Sequence, residues 1–130
     1  MTAKLKIPPA LHELEAEVMN EVWQHQDEVS VRAVMEALNK RAKKPRAYTT
    51  YMTIMARLHS KGLLTRRREG RTDYYRPVYL REEYADLRAQ AGVDSLVEQY
   101  GEVALSHFAR QMAQLDPDRR RQLQRLARNK

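Results

Sequence analysis

The chain has no cysteine, which removes disulfides, thiolate metal sites and thiol catalysis in one stroke. It has only four glycines, too few to supply phosphate-cradling loops, and no phosphate loop, G-x-S-x-G elbow or dinucleotide fingerprint occurs. No apolar run reaches ten residues, and the opening MTAKLKIPPALHELE lacks the apolar region of an export signal. These absences point to a cytoplasmic protein without a membrane partner. The four histidines, His12, His25, His59 and His107, do not cluster with carboxylates at metal-ligand spacing. His12, Glu13 and Glu15 share one helix, a pattern common without any metal. No catalytic residue, metal or cofactor is expected, and an enzyme is not the reading.

Acidic residues are also missing from one particular stretch. Residues 40–76 hold twelve Lys and Arg against two acids, Glu69 and Asp73. That local charge of +10, in a chain of net +7, leaves −3 for everything else. A concentrated basic segment in a near-neutral remainder is the electrostatic footprint of a polyanion binder. With 130 residues, 42% hydrophobic and 32% charged, the chain makes one domain, or a small domain with an appendage.

Apolar spacing supplies the elements. Leu11, Leu14, Val18 and Val22 recur at steps of three and four, predicting a first helix over 11–25 with Trp23 at the edge of its stripe. QDEVS breaks the pattern; Val29 suits a short strand and Ser30 an N-cap. Val31, Val34, Met35 and Leu38 then form the inward face of a second helix. NKRAKKPRA, polar and proline-bearing, reads as a loop. A third helix is expected from Tyr48 to Lys61, with Tyr51, Ile54, Met55 and Leu58 on one side. Its other side shows Thr49, Met52, Thr53, Ala56 and Ser60, flanked by Thr50 and Arg57. Gly62 fits the C′ position that ends a helix in the left-handed conformation. LLTRRREGRTDYYRPV reads as a hairpin about Glu69-Gly70-Arg71.

Three helices followed by a basic hairpin is the layout of a winged helix-turn-helix, whose third helix enters the major groove while the hairpin follows the flanking backbone. A helix pressed into that groove has no room for long charged chains on its outer face. Threonine suits the place, because its hydroxyl can bond to a base edge and its methyl can touch thymine. Thr49, Thr50, Thr53 and Met52 are therefore the expected base contacts. Lys43, Lys44, Arg46 and Arg57 around the helix, with Arg66, Arg67, Arg68 and Arg71 in the wing, are the expected backbone contacts. At least one of Tyr74 and Tyr75 is expected in the core.

After Leu80 the pattern is wholly helical. Tyr84, Leu87 and Ala91 share a face, and beyond Gly92 the positions Leu96, Val97, Tyr100 and Ala104 continue it. Leu105, Phe108, Met112 and Leu115 follow at steps of 3, 4 and 3, like the seam of a helix pair. Asp116-Pro117 is an N-cap followed by a first-turn proline. These amphipaths carry few bulky residues. The expectation is a mainly α fold with a small β-hairpin wing: a winged-helix DNA-binding domain over 1–80 and a helical dimerisation region over 81–130, paired through Leu96, Tyr100, Leu105, Phe108, Met112 and Leu115.

Over residues 11 to 80 the chain resembles the BlaI/MecI penicillinase repressors, winged-helix repressors of bacterial β-lactam resistance. LHELEAEVMNEVWQH matches their opening helix at Glu15, Val18-Met19 and Trp23. YTTYMTIMARLHSKGLLTRRREGRTDYYRP matches their recognition helix and wing, with Thr50-x-x-Thr53, Arg57-Leu58, Lys61-Gly62 and Glu69-Gly70-Arg71 in place. The resemblance implies a homodimeric transcriptional repressor of inverted-repeat operator DNA, with a sensor or regulatory protease as a further partner. Two departures from the pattern stand out. His12 stands where the family has Ser or Thr. Near FARQM the chain reads Arg110-Gln111 where β-lactam-sensing members are cut at Asn-Phe. The cysteine pairs of the copper-responsive branch are absent. The basic tail RRRQLQRLARNK either reaches DNA or keeps the last helix soluble. The rival reading is a winged-helix module that docks a protein, its basic surface incidental. An RNA binder would call for aromatic platforms on an exposed sheet, whereas this hairpin is mostly arginine.

Overall fold

A computed structural model describes residues 6–129. The elements run α1 (Glu13–Gln24), β1 (Val29–Ser30), α2 (Val31–Arg41), α3 (Tyr48–Ser60), β2 (Leu64–Glu69), β3 (Thr72–Pro77), α4 (Arg81–Tyr100), α5 (Glu102–Gln114) and α6 (Pro117–Arg128). They form two compact units, the first running through Ala89 and the second from Gln90. None of the described helices is long and apolar enough to cross a membrane.

In the first unit the predicted stripes all turn inward. Val18, Met19 and Val22 of α1, Val31, Val34 and Leu38 of α2, and Tyr51, Ile54, Met55 and Leu58 of α3 share one core with Leu63, Leu64, Tyr75 and Tyr79. The wing is the outer part of a three-stranded antiparallel sheet of order β1-β3-β2. β1 adds Val29 opposite Tyr75 and Ser30 opposite Tyr74. Ser30 also caps α2, its hydroxyl accepting the Ala33 N–H at 3.2 Å, so one residue ends a strand and starts a helix. Leu64 pairs with Pro77 and Glu69 with Thr72, leaving a two-residue turn at Gly70-Arg71. Gly70 takes φ +63°, the positive value that the first turn position of a type II′ hairpin requires.

The first unit extends past Leu80 into α4. Tyr84 is buried and Leu87 packs on the core. The Tyr84 hydroxyl donates to the Pro9 carbonyl at 2.8 Å, and the Trp23 and Tyr84 rings lie 5.5 Å apart. The Trp23 indole N–H donates to the Tyr79 carbonyl at 2.9 Å, which pins the edge of α1 to the chain leaving the sheet.

Helix α1 is a little shorter than the expected 11–25, and the end of α2 differs more from the sequence reading. α2 continues through Asn39, Lys40 and Arg41, which were read as loop. Lys and Arg are good helix formers and suit the negative end of the helix dipole. Arg41 gains a further anchor, donating to the buried Glu21 carboxylate at 3.3 Å. Gly92 lies inside α4; its cost of roughly 1 kcal/mol is spread over a 20-residue helix. The interruption comes at Gly101, with φ +57°.

In the second unit Asp116 caps α6, its carboxylate accepting the Arg119 N–H at 2.9 Å, and Pro117 occupies the first turn. Arg120 donates to the carbonyls of Met112, Ala113 and Leu115 at 3.1–3.2 Å, satisfying the open end of α5. Among the described residues of this unit only Ala104 is buried, while Val93, Leu96, Tyr100, Val103 and Leu105 stand exposed.

A single buried ion pair joins α1 to the end of α3. Glu15 is 1% exposed; its Oε1 accepts from Lys61 Nζ at 2.8 Å and from the His12 N–H at 2.9 Å. Burial alone would push the carboxyl upward, but the His12 N–H and the Lys61 ammonium outweigh it and hold the group below its ordinary range. A carboxylate held low contributes stability above its unfolded pKa and loses it as pH falls through the folded value. Lys61→Met should therefore destabilise the fold by about 3–5 kcal/mol near neutral pH, because it strands a buried charge. The deficit should shrink in acid, where a protonated Glu15 needs no cation. Urea melts of both proteins across the acid range check this; a loss that does not vary with pH would refute it.

Candidate nucleic-acid interface

The α3 helix owes its orientation to both of its ends. At its C-terminus the Leu63 N–H bonds to the Leu58 carbonyl and the Gly62 N–H to the His59 carbonyl, both at 3.0 Å. With Gly62 at φ +81° this is a Schellman closure, and the buried Leu58 and Leu63 seal it. At its N-terminus a single asparagine holds the approach. Asn39 Oδ1 accepts from the Arg46 N–H at 3.0 Å and from the Tyr51 hydroxyl at 2.7 Å, and its amide donates to the Arg46 carbonyl at 2.9 Å. The side chain thus clamps the loop at both main-chain groups of Arg46. Nothing in the sequence marks this role, because Asn39 has the composition of the loop that follows it.

With its inner face buried, α3 presents Thr49, Met52, Thr53 and Arg57 to the outside, while Thr50 and Ala56 are half-buried. Met52 is 45% exposed, a large apolar side chain left open on a helix that carries no carboxylate at all. Ala47 gives α3 no side-chain cap, so its first-turn N–H groups are not taken up by a side chain. Lys43, Lys44 and Arg46 stand exposed on the loop just before it.

One groove joins this face to the wing. A cavity of about 460 Å³ is lined by Tyr48 and Met52 of α3, Arg32 of α2, and Arg68, Arg71 and Asp73 of the hairpin, among others. Arg32, which the sequence reading passed over, lies with its guanidinium 5.7 Å from the Tyr48 ring centre. Strand alternation explains which wing arginines reach this side. Leu64 and Tyr75 face the core, and Arg66 and Arg68 continue their face of the sheet beyond it.

Arg67 points the other way. Its guanidinium makes a two-pronged pair with Glu28, with contacts of 2.8 Å from both Nε and Nη2, adds Glu69 at 3.2 Å, and lies 5.1 Å from the Tyr74 ring centre. These bonds hold the Glu28 carboxyl below its ordinary range and keep the Arg67 guanidinium protonated. Of the four wing arginines expected on a nucleic-acid backbone, Arg67 is the one most fully engaged within the chain. Arg68 makes a looser contact, 3.7 Å from Asp73, and Arg66 and Arg71 form no ion pair with another described residue.

A three-helix core with an exposed third helix and an antiparallel wing beside it defines a winged-helix domain. The chain matches the penicillinase repressor family model over residues 11–129. It is 38% identical over 112 residues to the transcriptional regulator BlaI of two Mycobacterium tuberculosis strains, covering 83% of this chain and 78% of theirs. Its fold is similar to the solution structure of the DNA-binding domain of the repressor BlaI, with a TM-score of 0.52 and 30% identity, over 62% of this chain and 94% of that one. The chain belongs to the penicillinase repressor family, and it has the winged-helix architecture of a BlaI-like transcriptional regulator with further helices after it.

The Asn39 clamp leads to a measurable outcome. Asn39→Ala leaves the buried Tyr51 hydroxyl and both Arg46 main-chain groups without their partner, and should cost about 1–3 kcal/mol in stability. Amide exchange should quicken over residues 42–50 ahead of the rest of the core. Uniform exchange across the first unit would show that Asn39 does not hold the start of α3.

Proposed function

We propose that the chain is a homodimeric transcriptional repressor that binds inverted-repeat operator DNA through α3 and the wing. The observation that carries this reading is the carboxylate-free outer face of α3, opening with Arg68 and Arg71 onto one groove. A surface meant for water would carry Glu and Lys there. A surface meant for a duplex needs short hydroxyls and a methyl-rich patch over the bases, with cations at its margins. In this reading Thr49, Thr50, Thr53 and Met52 meet base edges. Lys43, Lys44, Arg46, Arg57, Arg66, Arg68 and Arg71 meet phosphates. Arg67 shapes the wing through Glu28 and adds charge from behind.

Thr53→Ala should weaken operator binding by about 1–3 kcal/mol while leaving affinity for random duplex nearly unchanged. Both proteins should lose affinity steeply as salt rises, because each phosphate contact releases a counterion. Equal losses on operator and random duplex would mean that Thr53 reads no sequence. A flat salt response would favour a protein-docking role for the same basic surface.

The dimer rests on the second unit. One recognition helix reads too few base pairs to select a genomic site, so two must act together. Leu96 (44% exposed), Tyr100 (54%) and Leu105 (51%) offer apolar surface, and Phe108, Met112 and Leu115 are half-buried beside them in sequence. Pairing with the same residues of a second copy would cover them and set two α3 helices a whole number of DNA turns apart. Sedimentation should find a dimer for the intact chain and a monomer for a Leu105→Glu, Phe108→Glu double variant, whose operator binding falls with the lost tether. A dimer that survives both glutamates would remove these residues from the interface.

A further inference from the structure

The first unit holds a second concavity, remote in sequence from α3 and the wing, with a different chemistry. It lies between α1 and the opening turns of α4, measures about 440 Å³, and is lined by Leu11, Asn20, Trp23, Arg81, Tyr84 and Arg88, with Ala10 and Ala85 completing the wall. That volume is in the range of small-molecule sites. Its floor is aromatic and preset. Trp23 is fixed by the bond from its indole N–H to the Tyr79 carbonyl. Tyr84 is fixed by the bond from its hydroxyl to the Pro9 carbonyl, with the two rings 5.5 Å apart.

The charge on this pocket is of one sign. None of its lining residues is acidic, and two are arginines. Arg81 lies with its guanidinium 5.8 Å from the Trp23 ring centre and reaches Asn20 Oδ1 at 3.3 Å. Arg88 reaches the Pro8 carbonyl, also at 3.3 Å. Both contacts are long bonds to neutral oxygens, and among the described residues they leave most of each five-donor fork unused. An apolar, aromatic-floored pocket edged by two such guanidinium groups is complementary to a molecule with an apolar body and a carboxylate head.

We propose that this pocket binds a small organic carboxylate, its apolar body against Trp23 and Tyr84 and its carboxylate between Arg81 and Arg88. A cation would meet two like charges, and a neutral molecule would forgo the charge-assisted bonds. The site is separate from the DNA-reading surface proposed above and stands or falls without it.

The chain has one tryptophan, so the Trp23 indole N–H gives a single, unambiguous nuclear magnetic resonance signal. Titration of the free, full-length protein with 4-phenylbutyrate should shift that signal saturably. The uncharged 4-phenylbutanamide should bind about tenfold more weakly, the worth of one lost charge-assisted interaction. Arg88→Gln should bring the affinity for the acid down toward that of the amide. Ala85→Phe, at an exposed helix position, should fill the pocket and abolish the shift. Equal affinity for acid and amide, an acid affinity unmoved in Arg88→Gln, or no saturable shift at all would each overturn the proposal.

Discussion

The buried pairing of Glu15 with Lys61 is the constraint from which the rest of the first unit follows. Lys61 is the C-cap of α3 and Glu15 sits in the first turn of α1, 46 residues earlier. A salt bridge in a core is a poor source of net stability, since desolvating two charges offsets most of their attraction. It is, however, a strong source of specificity, because any packing that separates the two leaves a bare charge in the core. Glu15 Oε2 has no hydrogen-bond partner among the described residues, so the burden there rests on Oε1 and its two donors. Lys61 is followed directly by Gly62, whose left-handed conformation sends the chain into β2. One contact therefore ties the C-terminal end of α3 and the takeoff of the wing to α1. The base-reading face that we propose depends on the rotation of α3, since turning the helix by one residue step would put the buried Ile54 in the place of Thr53.

The wing shows how a strand divides labour among like charges. Four arginines within six residues would repel one another if all faced one way. The pleat prevents this by sending Arg66 and Arg68 to the side of α3 and Arg67 to the opposite side. There Glu28, immediately before β1, is placed to receive Arg67 because β1 pairs with β3 rather than with β2. The two-residue β1 thus does more than extend the sheet. It carries a carboxylate to the back of the hairpin and lowers the repulsion that the front must bear.

What could be read in the sequence follows from the range of the interaction concerned. The four-residue stripe of α3, its bare outer face, the Ser30 cap, the Gly62 stop and the hairpin about Gly70 are all set by neighbours within a turn or two, and each was legible. Val29 was legible as a strand, but its pairing with Tyr75 was not, because β-pairing across 46 residues leaves no periodic trace. The same holds for Glu28 with Arg67 and for Asn39 with Arg46 and Tyr51. A charge or an amide announces that it wants a partner without saying which. The end of α2 was misplaced for a related reason: Asn39, Lys40 and Arg41 look like loop composition, yet Asn39 and Arg41 are both held by tertiary bonds. For the candidate interface, the exposed residues of α3 and the nearby cations could be listed from the sequence, whereas Arg32 could not, because its place beside Tyr48 comes from packing α2 on α3.

The second unit poses a problem of area rather than of pattern. Each of its helices has a sound local design: Asp116 and Pro117 open α6, Arg120 closes α5, and Gly101 separates α4 from α5 at a positive φ. Local design orders a helix but does not hold helices together, because capping and intrahelical pairs are worth only fractions of a kcal/mol to about one each. The stabilisation of a helical unit comes from apolar area removed from water, at roughly 25 cal/mol per Å². A unit whose described residues bury only Ala104 has little of that area to draw on. Its apolar side chains are nevertheless there, at Val93, Leu96, Tyr100, Val103 and Leu105, each at least 44% exposed. In the homodimer that we propose, a second copy covers this surface. In that case the unit's folding and the assembly of two copies are one equilibrium, and its stability depends on protomer concentration. The first unit has its own closed core, so in the proposed dimer the two halves of the chain would answer to different physical controls.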